Sequence, residues 1–451
     1  MRRFQHNSTG GHSVRFAAAS LLFLFCVCLT ASLAGSRAGA AETIELKETG
    51  NQKWYKGNLH THSLWSDGDD YLEMIADWYK SRGYDFLSFT DHNVLSNTER
   101  WTVPEKNKGK LHAYEELKKR FPDWVEERKN KDGQIEVRLR TFEEVSDKLG
   151  EPGKYLLIQS EEVTDRFKNY PVHMNATNVH SLLTPLGGKS VYEVMQNNTN
   201  ALLSQRERTG QKMMIHLNHP NFHYGVTAED LMKVIGENFF EVYNGHPGVN
   251  DSGDESHAST EQIWDIILTK RLAELKLPIM YGLGTDDGHN YHKIPSRASE
   301  PGRGWVVILS EELKPGALID ALEAGRFYAS SGVKLKSVTY SDQGIQVEIE
   351  PEEGVTYTTD FIGTLEGYPK RGMPVLDSRG QEINTTQRYS KKIGATLKSV
   401  KGTSASYDLT GKEIYVRAVV RSSKLHPNPS EIGEVERAWV QPVAGPAAPQ
   451  E

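Results

Sequence analysis

Apolar and polar positions follow two rhythms along this chain, and the rhythm changes near residue 333. Before that point, apolar runs of strand length are followed by stripes at helical spacing. Residues 54–59 read as a strand. Leu72, Ile75, Ala76 and Tyr79 then share one helical face over 71–82, with Asp69 and Asp70 as caps and Gly83 closing the helix. Residues 86–90 form the next strand, so strand, helix and strand fit within about 35 residues, a βα unit of a parallel sheet.

Residues 97–135 are rich in charge and read as helical and exposed, an insertion outside the sheet. Thr141 and Glu144 have capping-box spacing and start a helix to about 149. Strands over 155–163, 172–179, 213–217, 239–243, 279–283 and 305–309 alternate with helices over 191–208, 228–235, 260–275 and 315–324, and 326–331 completes the series. Seven or eight strands with polar residues beyond their carboxyl ends predict a (β/α) barrel over 52–332, whose site lies at those ends. After residue 333 the runs 334–339, 345–349, 356–362, 406–409 and 414–420 alternate with period two and are separated by turn residues. They predict a small antiparallel β-sandwich over 333–443 and a disordered Pro/Ala tail over 444–451. The expected fold class is α/β with this second domain. No internal repeat is present.

At 451 residues, a quarter of them charged, the chain is soluble and globular in composition and long enough for two domains. The amino terminus differs. Arg2, Arg3 and Arg15 precede an uncharged apolar run over 16–34, and Ala38, Gly39 and Ala40 offer the small residues of a cleavage site. Residues 1–40 therefore read as a signal peptide, with an exported protein, periplasmic or secreted, as the product. An uncleaved membrane anchor is the alternative, because the run is near spanning length. Cys26 and Cys28 both lie in this run, so the mature chain would hold no disulfide and no thiolate metal site. Cleavage also removes four arginines and no acid, taking the formal charge from -7 to -11. That balance argues against nucleic acid as a partner, and no stable membrane insertion is expected after cleavage.

Alternate residues of a strand share a face, so His60 and His62 leave the end of the first strand side by side, as two nitrogen ligands for one metal. Asp67 follows in a turn eased by Gly68. Taken alone, a His-x-His pair reads equally well as two surface histidines. Joint occurrence points to metal: His92, Glu162, His173, His219, Asp287 and His289 also fall at the ends of predicted strands. His216, His223, His246, His257 and His292 make the same region rich in histidine. Glu161 and Glu162 face opposite sides of a strand, and Asp286 and Asp287 pose the same choice; spacing to His289 favours Asp287.

The order His-x-His, Ser-Asp-Gly, Thr-Asp-His, Glu, His, His-Pro and Asp-x-His resembles the PHP superfamily, named for polymerase and histidinol phosphatase domains, over about 54–330. Phe-Glu-Val-Tyr-Asn-Gly-His246 and the ending Ala438-Trp-Val-Gln-Pro442 are similar to exported bacterial members with a carboxyl-terminal β domain. The resemblance implies a distorted seven-stranded (β/α) barrel, two or three divalent metals and hydrolysis of phosphoesters. It implies His60, His62, Glu162 and Asp287 on a first metal, with Glu162 bridging to a second held by His173 and His219. Asp67, His92 and His289 would hold a third, and the Glu before Val-Thr selects Glu162 over Glu161.

Imidazoles mixed with carboxylates suit Zn, Mn or Fe. Such metals lower the pKa of a bound water and neutralise a phosphoryl group, so no protein nucleophile is required. His246 is the candidate general acid, and Arg303, in Pro-Gly-Arg-Gly-Trp, the candidate phosphate contact. The expected partner is a small phosphorylated or ester substrate. Rival readings are a metallohydrolase of carboxylic or carbamic esters, an amidohydrolase-type barrel, and a glycan or envelope-binding protein with structural metals.

Overall fold

The computed structural model describes residues 43–104, 110–341 and 343–448. The expected signal peptide and its apolar run lie outside these residues. No helix among the described residues is long and apolar enough to cross a membrane.

The frame of the molecule is one sheet whose first part consists of β1 (Lys53–Asn58), β2 (Phe86–Phe89), β3 (Leu156–Phe167), β4 (Tyr170–Thr177), β5 (Met214–Leu217), β6 (Phe239–Asn244) and β7 (Tyr281–Thr285). They lie side by side in this order. Residues of β2, β5 and β6 are buried throughout, as expected where helices or other layers cover both faces of a parallel sheet. β1, β2 and β3 run parallel, as do β5, β6 and β7. β4 is antiparallel to both neighbours. Only Lys168 and Asn169 separate it from β3, and two residues make a hairpin where a parallel crossover needs a dozen or more.

The strands expected from the sequence are present, yet the hydrogen bonding differs from a closed (β/α) barrel. Between β1 and β7 the described residues form one isolated parallel bridge, Thr61 with Gly288, beyond the carboxyl ends of both strands. The sheet ends therefore meet at the mouth without a ladder between them. On its other edge β1 pairs antiparallel with β8 (Trp305–Ser310), and β8 with β9 (Phe327–Ser330).

The sheet does not stop there. β9 pairs with Val435–Ala444, which continues through Glu413–Leu425 and Tyr357–Leu365 to Ala395–Lys401. A second sheet of Ile44–Lys47, Leu335–Ser341, Gly344–Ile349 and Ser404–Asp408 covers this extension. Leu46, Val338, Val347, Phe361, Val416, Val420 and Val440 fill the layer between them. Strand pairing thus crosses residue 332, and Leu46 reaches the sandwich from ahead of β1. The strand Ala395–Lys401 was not expected; its Lys398 and Lys401 gave it no apolar alternation. Through residue 448 the expected disordered tail is held in place, with the Gly445 and Ala447 amides donating to Ile414 and Glu413 carbonyls. Residues 449–451 lie outside the described residues.

Two local expectations change. The insertion after β2 contains the helix Lys110–Arg120 together with a three-stranded sheet of Arg100–Thr102, Ile135–Leu139 and Glu127–Lys129. Its outer face carries cross-strand ion pairs, Arg128 to Glu136 at 2.7 Å, while Val137 and Leu139 are buried, so high charge masked a strand pattern. The helix Leu72–Lys80 has no side-chain cap; Asp70 accepts from the Tyr71 amide just ahead of it. The capping box at Thr141 and Glu144 is formed as expected.

Candidate metal centre

Beyond Asn58 the chain keeps its extended alternation. Thr61 turns away, its hydroxyl donating to the Ser88 carbonyl, and His60 and His62 point into the mouth with Nε2 atoms 3.1 Å apart. The following turn folds back on itself: the Gly68 amide donates to the Ser63 carbonyl, and a Cβ on Gly68 would lie 2.4 Å from the His62 carbonyl. Asp91 fixes this turn by accepting from the Ser63 amide and hydroxyl and from the Ser66 hydroxyl. Asp67 is thereby returned over the mouth. Its Oδ1 is 3.4 Å from His289 Nε2, 3.5 Å from His92 Nε2 and 3.7 Å from His62 Nδ1.

β3 settles the choice between its adjacent acids. Glu161 Oε1 faces outward and accepts from the Leu183 amide at 2.6 Å. Glu162 points inward, with Oε2 3.2 Å from His62 Nε2 and 3.5 Å from His60 Nε2. Its Oε1 is 3.0 Å from His173 Nδ1 and 3.5 Å from His219 Nε2. One carboxylate thus stands between two pairs of imidazoles. Asp286 is consumed structurally, accepting from Tyr79 and Asn58 side chains and from the Arg303 and Gly304 amides. Asp287 has φ 50°, a left-handed conformation that Asp tolerates better than most residues, and this aims its carboxylate at the mouth. Asp287 Oδ1 is 3.3 Å from both His60 Nε2 and His62 Nε2, and 3.5 Å from His289 Nδ1.

All nine expected ligands therefore converge. They form four overlapping groups able to hold a cation: His60, His62 and Glu162; His60, His219 and Asp287; His92, Glu162 and His173; and His62, Asp67, His92 and His289. Two observations test whether cations fit. Glu162 is buried, and imidazole nitrogens of His60, His62, His92, His173 and His219 all lie within 3.5 Å of its oxygens. The donor set is imidazole and carboxylate alone, the set that borderline divalent ions take. The residues fit the group.

The electrostatics agree with that reading. Burial would raise the Glu162 carboxyl, but the charges of His92, His173 and His60 outweigh it and hold it well below the usual range. Asp287 is lowered in the same way, burial being overcome by His60 and His62. Burial works against a charge on His60, yet Asp287, Glu241 and Glu162 together push it well above its ordinary value. His92 is pushed up to about 11 against burial by Glu162 and Asp67. Carboxylates this strongly held as anions, facing imidazoles this eager for a cation, are the mark of a site built around positive charge.

Sequence reasoning missed the groups that orient these ligands. Glu241, fully buried in the otherwise apolar β6, accepts from His60 Nδ1 at 2.7 Å, Thr285 Oγ1 at 2.8 Å, the His219 amide at 2.8 Å and Asn244 Nδ2 at 2.7 Å. Holding Nδ1–H of His60 leaves Nε2 free to face the mouth. Asn218 Nδ2 donates to Glu162 at 2.9 Å, and Asn244 Nδ2 to Asp287 at 3.2 Å. A single acid inside a buried apolar strand was the available signal.

The two proposed reacting groups separate. His246 lies at the mouth, its ring 5.7 Å from that of His289 and 6.1 Å from that of Phe222. Burial pulls its imidazole below the ordinary value. Arg303 is a correction. Its guanidinium is completely buried, donating to the Gly245 carbonyl, Glu300 and Asn428, and has no face toward the mouth for a phosphate. The glycines beside it suggested an exposed turn; they instead admit close packing, since a Cβ on Gly304 would lie 2.6 Å from Tyr243.

No family model matches the chain. Over 84 residues it is 30% identical to the DNA polymerase/3'-5' exonuclease PolX of Bacillus subtilis, a stretch that covers 19% of this chain and 14% of that protein. Among solved structures, a Bacteroides vulgatus two-domain protein containing a predicted PHP-like metal-dependent phosphoesterase is 14% identical, with a TM-score of 0.38 over 90% of this chain and 99% of that one. A Bifidobacterium adolescentis protein assigned as a metal-dependent phosphoesterase is 12% identical, with a TM-score of 0.28 over 53% of this chain and 89% of that one.

Proposed function

We propose that this chain is a metal-dependent hydrolase of phosphoesters of the PHP type, exported from the cell, holding two or three divalent ions of Zn, Mn or Fe. One observation carries the reading: Glu162 is buried with imidazole nitrogens of His60, His62, His92, His173 and His219 all within 3.5 Å of its two oxygens, a shared carboxylate among five imidazoles. His60, His62, Glu162 and Asp287 would hold one ion, His173 and His219 with Glu162 a second, and Asp67, His92 and His289 a third. When bound, such ions supply Lewis acidity and a water of near-neutral pKa for attack at phosphorus.

The chain supplies the rest. Glu241, Asn218 and Asn244 keep the ligands in register through hydrogen bonds to His60, Glu162 and Asp287. Phe222, its ring 5.1 Å from His219 and 6.0 Å from His173, walls one side of the mouth and excludes water there. His246 donates the proton to the leaving oxygen. Burial lowers its pKa, so its protonated form is a stronger donor than a free imidazolium.

The test is metal analysis of the purified protein followed by turnover of an aryl phosphate, an aryl phosphodiester and an aryl carboxylic ester with Zn, Mn and Fe. Bound metal and faster turnover of a phosphoester are expected. Preference for the carboxylic ester would move the assignment to an esterase, and a native protein that takes up no metal would end it.

A further inference from the structure

A pocket of about 550 Å³ opens beside the metal centre, lined by Thr164, Arg166, Lys168, Asn169, His173 and His223 among others. It shares His173 with the centre, so what enters the mouth has access to both. Strand alternation decides which side chains of β3 belong to it. Glu162 points into the centre and Thr164 contacts His92 Nδ1 at 2.6 Å, so Arg166 emerges on the same face, one further step out along the hairpin. At about 3.4 Å per residue its Cα lies about 14 Å beyond that of Glu162, within reach of a molecule anchored at the centre. The register agrees, pairing Thr164 with His173 and Arg166 with Pro171 across β4.

The charges on this wall are available. Neither Arg166 nor Lys168 forms an ion pair among the described residues, and both are exposed; the Lys168 ammonium rests 5.0 Å over the Phe167 ring. Asp165 shares the lining, but its carboxylate is already engaged, accepting from the Arg166 amide at 2.7 Å, the Gly187 amide at 2.8 Å and Asn198 Nδ2 at 3.0 Å. His223 adds a third nitrogen-bearing side chain from the facing turn. Its backbone has φ 49° and is followed by Tyr224 at φ 51°, two consecutive left-handed residues that project the imidazole from the loop carrying Phe222. In a chain of net charge -7, two unpaired cations on the wall of this pocket are a local reversal of sign.

We propose that the β3–β4 hairpin is a second anion subsite, and that the substrate is a small phosphoester bearing a further anionic group, phosphate or carboxylate, which Arg166 and Lys168 bind while the scissile phosphoryl group sits at the metal centre. This rests on the phosphoesterase reading and deepens it. An anion held on this wall is oriented by the hairpin, and His246, which does not line this pocket, is left free to serve the leaving oxygen. Selectivity for the second charge comes from exposed cations, so it is sensitive to salt.

The experiment uses metal-loaded protein and the double variant Arg166→Gln, Lys168→Gln, both verified as folded by thermal melting. Values of kcat/KM are compared for phenyl phosphate, carboxyphenyl phosphate and a sugar bisphosphate. The wild type is expected to prefer the two doubly anionic substrates, and the double variant to lose about tenfold more on them than on phenyl phosphate. Arg166→Lys is expected to keep most of the preference. Whether the bisphosphate or the carboxylate is favoured distinguishes the source of the second charge. Equal losses on all three substrates would overturn the subsite while leaving the hydrolase reading in place. Calorimetric binding of pyrophosphate against inorganic phosphate separates the two claims without turnover. A pyrophosphate preference that disappears in the double variant supports the subsite even if no ester is hydrolysed, and an unchanged preference overturns it.

Discussion

Two buried clusters of charge in this molecule are built from similar groups and are opposite in kind. Behind β6, Arg417 donates through Nε and Nη2 to both oxygens of Asp265, at 2.7 and 2.8 Å, and Tyr415 donates to the same carboxylate at 2.8 Å. Glu261 gathers Arg417, Arg421 and Arg437 with Trp439. Opposite charges meet there with bidentate geometry, on a helix and strands that bind the carboxyl-terminal half of the sheet to the rest. At the mouth, Glu162, Asp287 and Asp67 face six histidines, and among the described residues no arginine or lysine stands with them to fix a positive charge. A cluster that closes its own hydrogen bonds is holding the fold together. One whose carboxylates have only ionisable imidazoles as charged partners is suited to a cation. Arg303 belongs with the first kind although its sequence setting resembled the second.

The sharpest way to break the contrast is to remove the group on which the mouth depends. Glu162→Gln preserves shape and takes away the shared negative charge. Turnover is expected to fall at least a thousandfold, about 4 kcal/mol of barrier, with metal content reduced by at least one ion per chain. The metal-free variant should melt below the metal-free wild type at neutral pH, since the substitution removes the anion that His92, His173 and His60 hold. Metal analysis and a thermal melt on the same sample check both halves. Full metal content with full activity would remove Glu162 from the centre.

The paired cluster should respond in the reverse sense. Arg417→Ala strands Asp265 as a buried charge, for which about 3–5 kcal/mol of stability is the expected loss. Denaturant unfolding measures it. Metal content per folded molecule should stay at the wild-type value, because no residue of that network is a candidate ligand. A variant that remains as stable as the wild type but loses metal would invert the roles assigned to the two regions.

The same distinction explains what could be read from the sequence. Seven of the nine candidate ligands were legible because each lies just past a strand end or at a turn, where the residue type stands out from the apolar run before it; Glu162 and His173 lie inside β3 and β4, where a charged or imidazole side chain interrupts a strand pattern. Glu162 over Glu161 was not decided by alternation, which gives opposite faces without saying which is inner; the Leu183 amide that claims Glu161 comes from a distant loop. Glu241 was passed over because its partners, His60 and the His219 amide, are brought to it only by the folding of the sheet. Arg303 was misread for a related reason, since Gly245 and Asn428 reach it from far along the chain. The direction of β4 was hidden because an apolar strand pattern carries no sign of orientation, although the two-residue gap at Lys168 and Asn169 was a usable clue.

A third class of buried charge sharpens the comparison: carboxyls that form no ion pair among the described residues. Burial pushes Glu73 up to about 7 and Glu237 up to about 8. Both are almost completely buried, and neither oxygen of Glu237 has a hydrogen-bond partner among the described residues. Below the unfolded value near 4.5 both states carry the proton and the groups are neutral in their effect. Between there and the folded value the native state binds more protons than the unfolded chain, so stability falls as pH rises, by roughly 3–5 kcal/mol per group once ionisation is complete. The depressed carboxylates of the mouth have the opposite slope, losing their contribution as pH falls toward their folded values. Glu237→Gln keeps a neutral side chain of the same shape and should flatten the decline between pH 5 and 8. The difference between wild-type and variant unfolding free energies, measured in urea across that range, isolates this group from the histidines of the mouth. A difference that stays constant with pH would mean that Glu237 ionises as readily in the fold as in the open chain, and that burial without a partner is not what sets it apart from Glu162.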